Sequence, residues 1–113
     1  MTERWRIHLS DAAERDFQHI LETTLETFGE RQLEVYRLTL VEALAALEAG
    51  PNISGSKARG EILPDLRTLH VARKGRRGRH LILYRAAAGN IIQVSRILHE
   101  CMELARHLPP EAE

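Results

Sequence analysis

Several things are scarce or missing in these 113 residues. There is one cysteine, Cys101, so no disulfide can form within the chain, and a reducing, cytoplasmic setting is expected. No apolar run approaches the roughly 20 residues that span a bilayer. The opening segment "MTERWRIHLS" lacks the apolar stretch of a secretory leader. Aromatics make up only 4% of the chain, and Tyr84 alone sits among clustered basic residues. That leaves little for recognising nucleic acid by base stacking. Net charge is also absent, because 16 Lys and Arg balance 16 Asp and Glu.

The zero net charge conceals a division. Residues 1–56 carry five Arg against ten Asp and Glu, whereas residues 57–100 carry ten Arg and Lys against three acids. An acidic half and a basic half either neutralise one another within one fold or face different surroundings. The length fits one domain over 1–113, and the charged fraction of 28% is ordinary for a folded protein.

Periodicity gives the elements. Trp5, Ile7 and Leu9 alternate with Arg4, Arg6 and His8, the period of a half-buried strand. Ser10-Asp11, with Glu14 three residues after Asp11, reads as a helix start with a capping box. Phe17, Ile20, Leu21, Thr24, Leu25 and Phe28 then recur at helical spacing up to Gly29. A second helix carries Leu33, Tyr36, Leu40, Ala43, Leu44 and Leu47 and stops at Gly50-Pro51. So short a link makes the two helices an antiparallel hairpin. Residues 51–64 read as a loop, and 73–79 ("RKGRRGR") as a basic turn. Strands are expected at 66–71, 80–86 and 91–99, and a short helix at about 100–107. The order β-α-α-β-β-β-α implies an α+β fold, with the hairpin packed on one face of a mainly antiparallel four-stranded sheet.

Six histidines show no common ligand spacing, and "HECME" at 99–103 lacks the second histidine of a zincin helix, so no metal or other cofactor is expected. Cys101 lies two residues from His99, a spacing at which helical side chains do not face each other. An incidental thiol fits it better than a nucleophile. The basic cluster is the strongest chemical signal. Arg67, Arg73, Arg79 and Arg85 are suited to bidentate contacts with carboxylates or phosphates, with His80, His99 or Tyr84 as acid–base candidates if the chain cleaves RNA. For Arg76 and Arg77, a solvated loop is the reading. Arg96 falls at an apolar position in a regular strand. It either finds a partner such as Glu61, Asp65 or Glu100, acts in function, or is turned outward by a β-bulge.

The chain resembles the ParE/RelE superfamily of bacterial toxin–antitoxin toxins, most closely its ParE branch. The resemblance covers nearly the whole chain. It is carried by "FG" at 28–29 followed by a helix containing Tyr36, by the Pro51 break, "LR" at 66–67, "HLILYR" at 80–85, and above all "RILHECMELARHL" at 96–108. The resemblance implies a toxin that binds and blocks DNA gyrase and is neutralised by a small ParD-like antitoxin in a hetero-oligomer, with no enzymatic step. Direct binding of nucleic acid by the toxin alone is not implied, and neither is a membrane. RelE-type members instead cleave messenger RNA in the ribosome, often with a tyrosine near the C-terminus. The last tyrosine here is Tyr84, a departure that argues against that activity. An inactive relative that only binds antitoxin is the third reading. Candidates for the gyrase- or partner-binding face are Arg67, Arg73, Arg79, Arg85, Arg96, His99 and Met102. Candidates for an antitoxin groove are Phe17, Leu21, Leu40 and Leu44. Arg96 and His99 are expected to anchor the C-terminal helix to the sheet edge and to help form the toxic face.

Overall fold

The computed structural model describes residues 4–102 and 104–107. Strand β1 (Arg6–Leu9) leads into helix α1 (Asp11–Phe28) and helix α2 (Glu30–Ala46), which ends in a 3-10 turn, Leu47–Ala49. Strands β2 (Ser56–Ala58), β3 (Arg67–His70), β4 (His80–Ala87) and β5 (Ile91–His99) follow, and a second 3-10 turn spans Leu104–His107. None of the described helices is long and apolar enough to cross a membrane.

Local chemistry explains the helix boundaries. Ser10 caps α1: its hydroxyl oxygen accepts the Ala13 N–H at 3.0 Å and its hydroxyl donates to the Ser95 carbonyl at 2.8 Å. The cap thus lies one residue before the expected Asp11–Glu14 box, and the third helical residue is Ala13, whose methyl group cannot reciprocate. Gly29 ends α1 and begins α2 at φ 89°, a conformation that disfavours any residue with a Cβ.

The sheet has five strands in the order β1-β5-β4-β3-β2. β1 runs parallel to β5, and the other pairs are antiparallel. The fifth strand is a correction: Ser56–Ala58 lies inside the segment expected to be a loop, yet it pairs with Arg67–Leu69. "SKA" carries no apolar alternation. It is held by the ladder and by the Ser56 hydroxyl, which donates to the Pro51 carbonyl at 3.0 Å. The short C-terminal helix expected at about 100–107 is found as a 3-10 helix over Leu104–His107. His99 takes two backbone donors, Cys101 N–H on its Nδ1 at 3.1 Å and Met102 N–H on its carbonyl at 2.9 Å. This closes a tight turn after β5.

The main core lies between the hairpin and one sheet face: Ala13, Ile20, Leu40, Ala43 and Leu47 pack with Leu69, Val71, Ile82, Tyr84, Ile92, Val94 and Ile97. A smaller core on the opposite face joins Leu66, Leu83 and Leu98 beneath Ile62, Leu63, Leu81 and Leu104. Burial on both faces explains why β4 and β5 read as nearly continuous apolar runs instead of alternating.

Candidate partner-binding site

The site is built at the end of the sheet where β4 begins and β5 finishes. A bulge sets its geometry. Leu83 pairs with Arg96 but Tyr84 pairs with Val94, so Ser95 is an extra residue in β5. Ile92 and Val94 before it, and Ile97 after it, all reach the main core, while Leu98 joins the outer one. The bulge removes Arg96 from the apolar parity that a regular strand would give it.

Arg96 finds its partner on α1, and the partner is Asp16, not Glu61, Asp65 or Glu100. Its Nε–H and Nη2–H donate to the two carboxylate oxygens at 2.7 and 2.9 Å. Asp16 Oδ2 also accepts the Ile97 N–H at 2.9 Å, and Arg96 Nη1–H reaches the His107 carbonyl at 3.2 Å. One carboxylate therefore caps the stretch of β5 that runs past β1, and the guanidinium ties the C-terminal turn to α1. The two side chains are only 24% and 15% exposed, so the pair is shielded and bidentate, the stronger kind of ion pair.

A histidine–tyrosine cluster lies beside it. His80 and His99 are opposite one another on β4 and β5, their rings edge-on with centroids 5.4 Å apart. Tyr36 of α2 reaches down to this pair. Its oxygen accepts the Arg79 N–H at 3.2 Å and is hydrogen-bonded to His80 Nδ1 at 2.6 Å. Burial, and then the neighbouring His99 and His70, push the His80 pKa down to about 4. Burial raises the Tyr36 phenol. The approach requires Gly78: a Cβ there would sit 2.6 Å from Val71 Cγ2 and 2.9 Å from the Tyr36 oxygen. On the outer side, His70 Nε2 lies 3.4 Å from Glu100, and Glu100 N–H donates to the Arg79 carbonyl at 2.7 Å.

The structure brings Arg79, Arg96, His99 and Met102 to this one end. Arg79 is exposed, and Met102 is 44% exposed. The other basic candidates stand elsewhere. Arg67 donates to the Ser56 hydroxyl oxygen at 2.7 Å, Arg73 donates to the Ser54 carbonyl at 3.3 Å in the β3–β4 turn, and Arg85 lies opposite Gln93 at the far end of β4. Arg76 stays in the exposed β3–β4 loop but has a partner there: it donates to both oxygens of Glu42 on α2 at 2.5 and 3.0 Å. Together with Arg96–Asp16, it joins the basic half of the chain to the acidic half.

Tyr84 is fully buried. Its hydroxyl donates to the Pro51 carbonyl at 2.7 Å beside Ser56, so it cannot meet a substrate as an acid or base. Leu40 is likewise fully buried in the main core and lines no open groove, while Phe17, Leu21 and Leu44 are half-buried against that core. The exposed apolar side chains of the hairpin are Leu25, Phe28, Val35, Leu38 and Val41, with Phe28 at 69%. Among the described residues no three His, Cys, Asp or Glu side chains are grouped as a metal ion would require.

Sequence reasoning missed Asp16, Tyr36, Gly78 and Ser56 as site-building residues. Asp16 alone left a signal, because a strand arginine at an apolar position needs a carboxylate. The Tyr36–His80 contact spans 44 residues and leaves none.

Comparison with known proteins places this architecture. Residues 7–104 match the family described as the ParE toxin of type II toxin–antitoxin systems, parDE. Toxin ParE1 of Mycobacterium tuberculosis, in two strains, is 33% identical over 103 residues, covering 91% of this chain and 97% of the relative. Among solved structures, the chromosomal ParDE system from P. aeruginosa superposes with a TM-score of 0.68 at 21% identity, over 86% of this chain and 97% of that one. The toxin–antitoxin complex RelBE2 from Mycobacterium tuberculosis gives 0.57 at 17% identity, over 85% and 98%. At such identities the two structures speak for the fold alone.

Proposed function

Because the chain belongs to the ParE toxin family of type II toxin–antitoxin systems, we propose that it acts on DNA gyrase by binding and is neutralised by a ParD-like antitoxin. The observation that carries binding over catalysis is the state of the acid–base groups. Tyr84 is sealed in the core, and the Nδ1 atoms of His80 and His99 are engaged by the Tyr36 hydroxyl and the Cys101 N–H. Cleavage of RNA needs a proton donor and acceptor that reach the substrate. The exposed groups at the same end, Arg79, Cys101 and Met102, instead form a charged and apolar contact surface. His99 and Arg96 position it from beneath.

The antitoxin has a separate surface in this reading. Leu25 and Phe28 on α1 and Val35, Leu38 and Val41 on α2 leave apolar area in water on the outside of the hairpin, a surface that an amphipathic partner segment covers with gain. Phe17, Leu21 and Leu44 line the partly covered flank next to it. The unpaired arginines of the basic half speed the encounter with an acidic segment.

Induced expression in bacteria tests the proposal. Growth arrest with accumulating cleaved DNA and intact transcripts is expected, relieved by co-expression of the antitoxin. Transcripts cut within the ribosome would instead show a RelE-type nuclease. Antitoxin binding without arrest would show an inactive relative.

A further inference from the structure

Three histidines converge on one end of the sheet: His70 closes β3, His80 opens β4 and His99 closes β5. His70 and His99 fold back on their own chain in the same way. The Ala72 N–H donates to His70 Nδ1 at 3.0 Å, and the Cys101 N–H donates to His99 Nδ1 at 3.1 Å. Each ring holds the backbone two residues on, where the strand has ended and the chain turns away. A backbone amide can only donate, so each Nδ1 bears an unprotonated lone pair. Both rings are therefore neutral, with their proton on Nε2. A metal ion on Nε2 would need that proton moved to Nδ1, so the arrangement opposes one.

An added proton has one place to go, which is Nδ1. Ring and amide then present an N–H to each other, and the hydrogen bond is lost. Little else secures the turn after β5. Glu100 N–H reaches the Arg79 carbonyl at 2.7 Å and Met102 N–H the His99 carbonyl at 2.9 Å, but Cys101 and Met102 are exposed and belong to neither core. The surrounding groups do not supply a substitute. Glu100 lies 3.4 Å from His70 Nε2 and favours a charged His70. His80 faces His99 edge-on at 5.4 Å. Burial first, and then its histidine neighbours, push the His80 pKa down to about 4, so His80 stays out of the change at milder acidity. Asp16, from α1, is engaged by Arg96, which also ties in the last turn, with Arg106 and His107, through the His107 carbonyl. Tyr36, from α2, is engaged by His80 and the Arg79 N–H.

We infer that His70 and His99 are proton-sensitive staples: a proton on Nδ1 releases the chain after β3 and after β5, and the surface that carries Cys101 and Met102 loses its fixed shape in acid. The link to toxicity rests on the gyrase reading above, whereas the staples rest only on the two amide–imidazole bonds. Histidines change charge between about pH 5 and 8, which sets the window. The two turns border one another through the His70–Glu100 contact, so acid loosens one continuous patch.

Ring and amide NMR of the isotope-labelled full chain tests the inference. At about pH 7.5 the nitrogen shifts of both rings should report the Nε2–H tautomer, and the Ala72 and Cys101 amides should be protected from exchange. On acidification to about pH 5 their protection factors, corrected for the intrinsic exchange rate, should fall about tenfold or more, in step with the titration of each ring. The Ser10 amide, bonded to the Val94 carbonyl at 2.9 Å, should keep its protection over the same range and so exclude global unfolding. His99→Asn supplies a side-chain oxygen that accepts an N–H two residues on and does not titrate. Its Cys101 amide should stay protected throughout, while His99→Ala should leave that amide open at every pH. The inference is overturned by an Nδ1–H tautomer at neutral pH, by a Cys101 amide that stays protected while the His99 ring titrates, or by an equal loss in His99→Asn. These signals come from the free protein, so failure of the gyrase reading would leave them unchanged.

Discussion

Arg96 and Asp16 are 80 residues apart in the chain, and their bidentate ion pair holds the end of β5, the C-terminal turn and α1 in one arrangement. The carboxylate does two jobs, because it also caps the Ile97 N–H that would otherwise face the side of the sheet left open beyond β1. The pair therefore positions the proposed binding surface without belonging to it.

Asp16→Asn keeps the size of the side chain but gives up the ion pair and weakens the cap. A loss of about 2 kcal/mol in unfolding free energy is expected, within the range for hydrogen bonds to charged groups. Urea denaturation measures it. Arg96→Met should cost a similar amount, and the double variant less than the sum of the two. Strict additivity would show that the two residues act independently.

Gly78→Ala places a methyl group where Val71 and the Tyr36 hydroxyl already stand. Overpacking of about 1–3 kcal/mol is expected. Combining it with Tyr36→Phe, which removes the oxygen, should recover only part of the loss, since Val71 is the closer obstacle. Thermal melts of the three variants decide this.

His80 gives a pH dependence with a defined sign. Its folded pKa is about 4, below the ordinary value near 6.5. Between these values the unfolded chain binds more protons, so stability falls as pH drops from about 6.5 to about 4. His80 is only partly buried, so the contribution is discounted to about 1–2 kcal/mol. His80→Gln removes the titrating group, and its melting temperature should fall less steeply than the wild type across that window. Parallel curves would place the pH dependence elsewhere.

Tyr84→Phe separates the two functional readings. The change leaves the Pro51 carbonyl with the Ser56 hydroxyl as its one remaining side-chain donor and should cost about 1 kcal/mol of stability. A binding toxin keeps its potency in growth assays under conditions where the variant is folded. Loss of potency with an intact fold would restore Tyr84 to a catalytic role.

Much of the fold was legible because the chain writes it in periodicity. Trp5-Ile7-Leu9, the α1 stripe, the breaks at Gly29 and Gly50-Pro51 and the apolar runs of β4 and β5 each specify an element locally. β2 was not legible: Ser56–Ala58 has no apolar pattern and becomes a strand only through β3 and the Pro51 carbonyl. The start of the short C-terminal helix was placed too early because helix-forming residues follow His99, while the His99 ring and carbonyl capture backbone donors and set a turn first. Arg96 was legible as a problem, including the bulge as one solution, but its partner on α1 was not. Long-range pairs such as Arg96–Asp16 and Tyr36–His80 are products of packing, and a single chain does not spell them out. Leu40 shows the complementary error, since helical periodicity cannot tell a groove-lining leucine from a core one.

The central claim is that the chain acts on gyrase by binding through the end of the sheet that carries Arg79, His99 and Met102. DNA supercoiling by purified gyrase, with wild-type protein and with Arg79→Glu/Met102→Glu, tests it most directly. The account predicts inhibition with accumulating cleaved DNA for the wild type, and at least about tenfold weaker inhibition for the double variant, equal to the loss of roughly 1.4 kcal/mol or more. Full supercoiling at high excess of folded wild-type protein would contradict it.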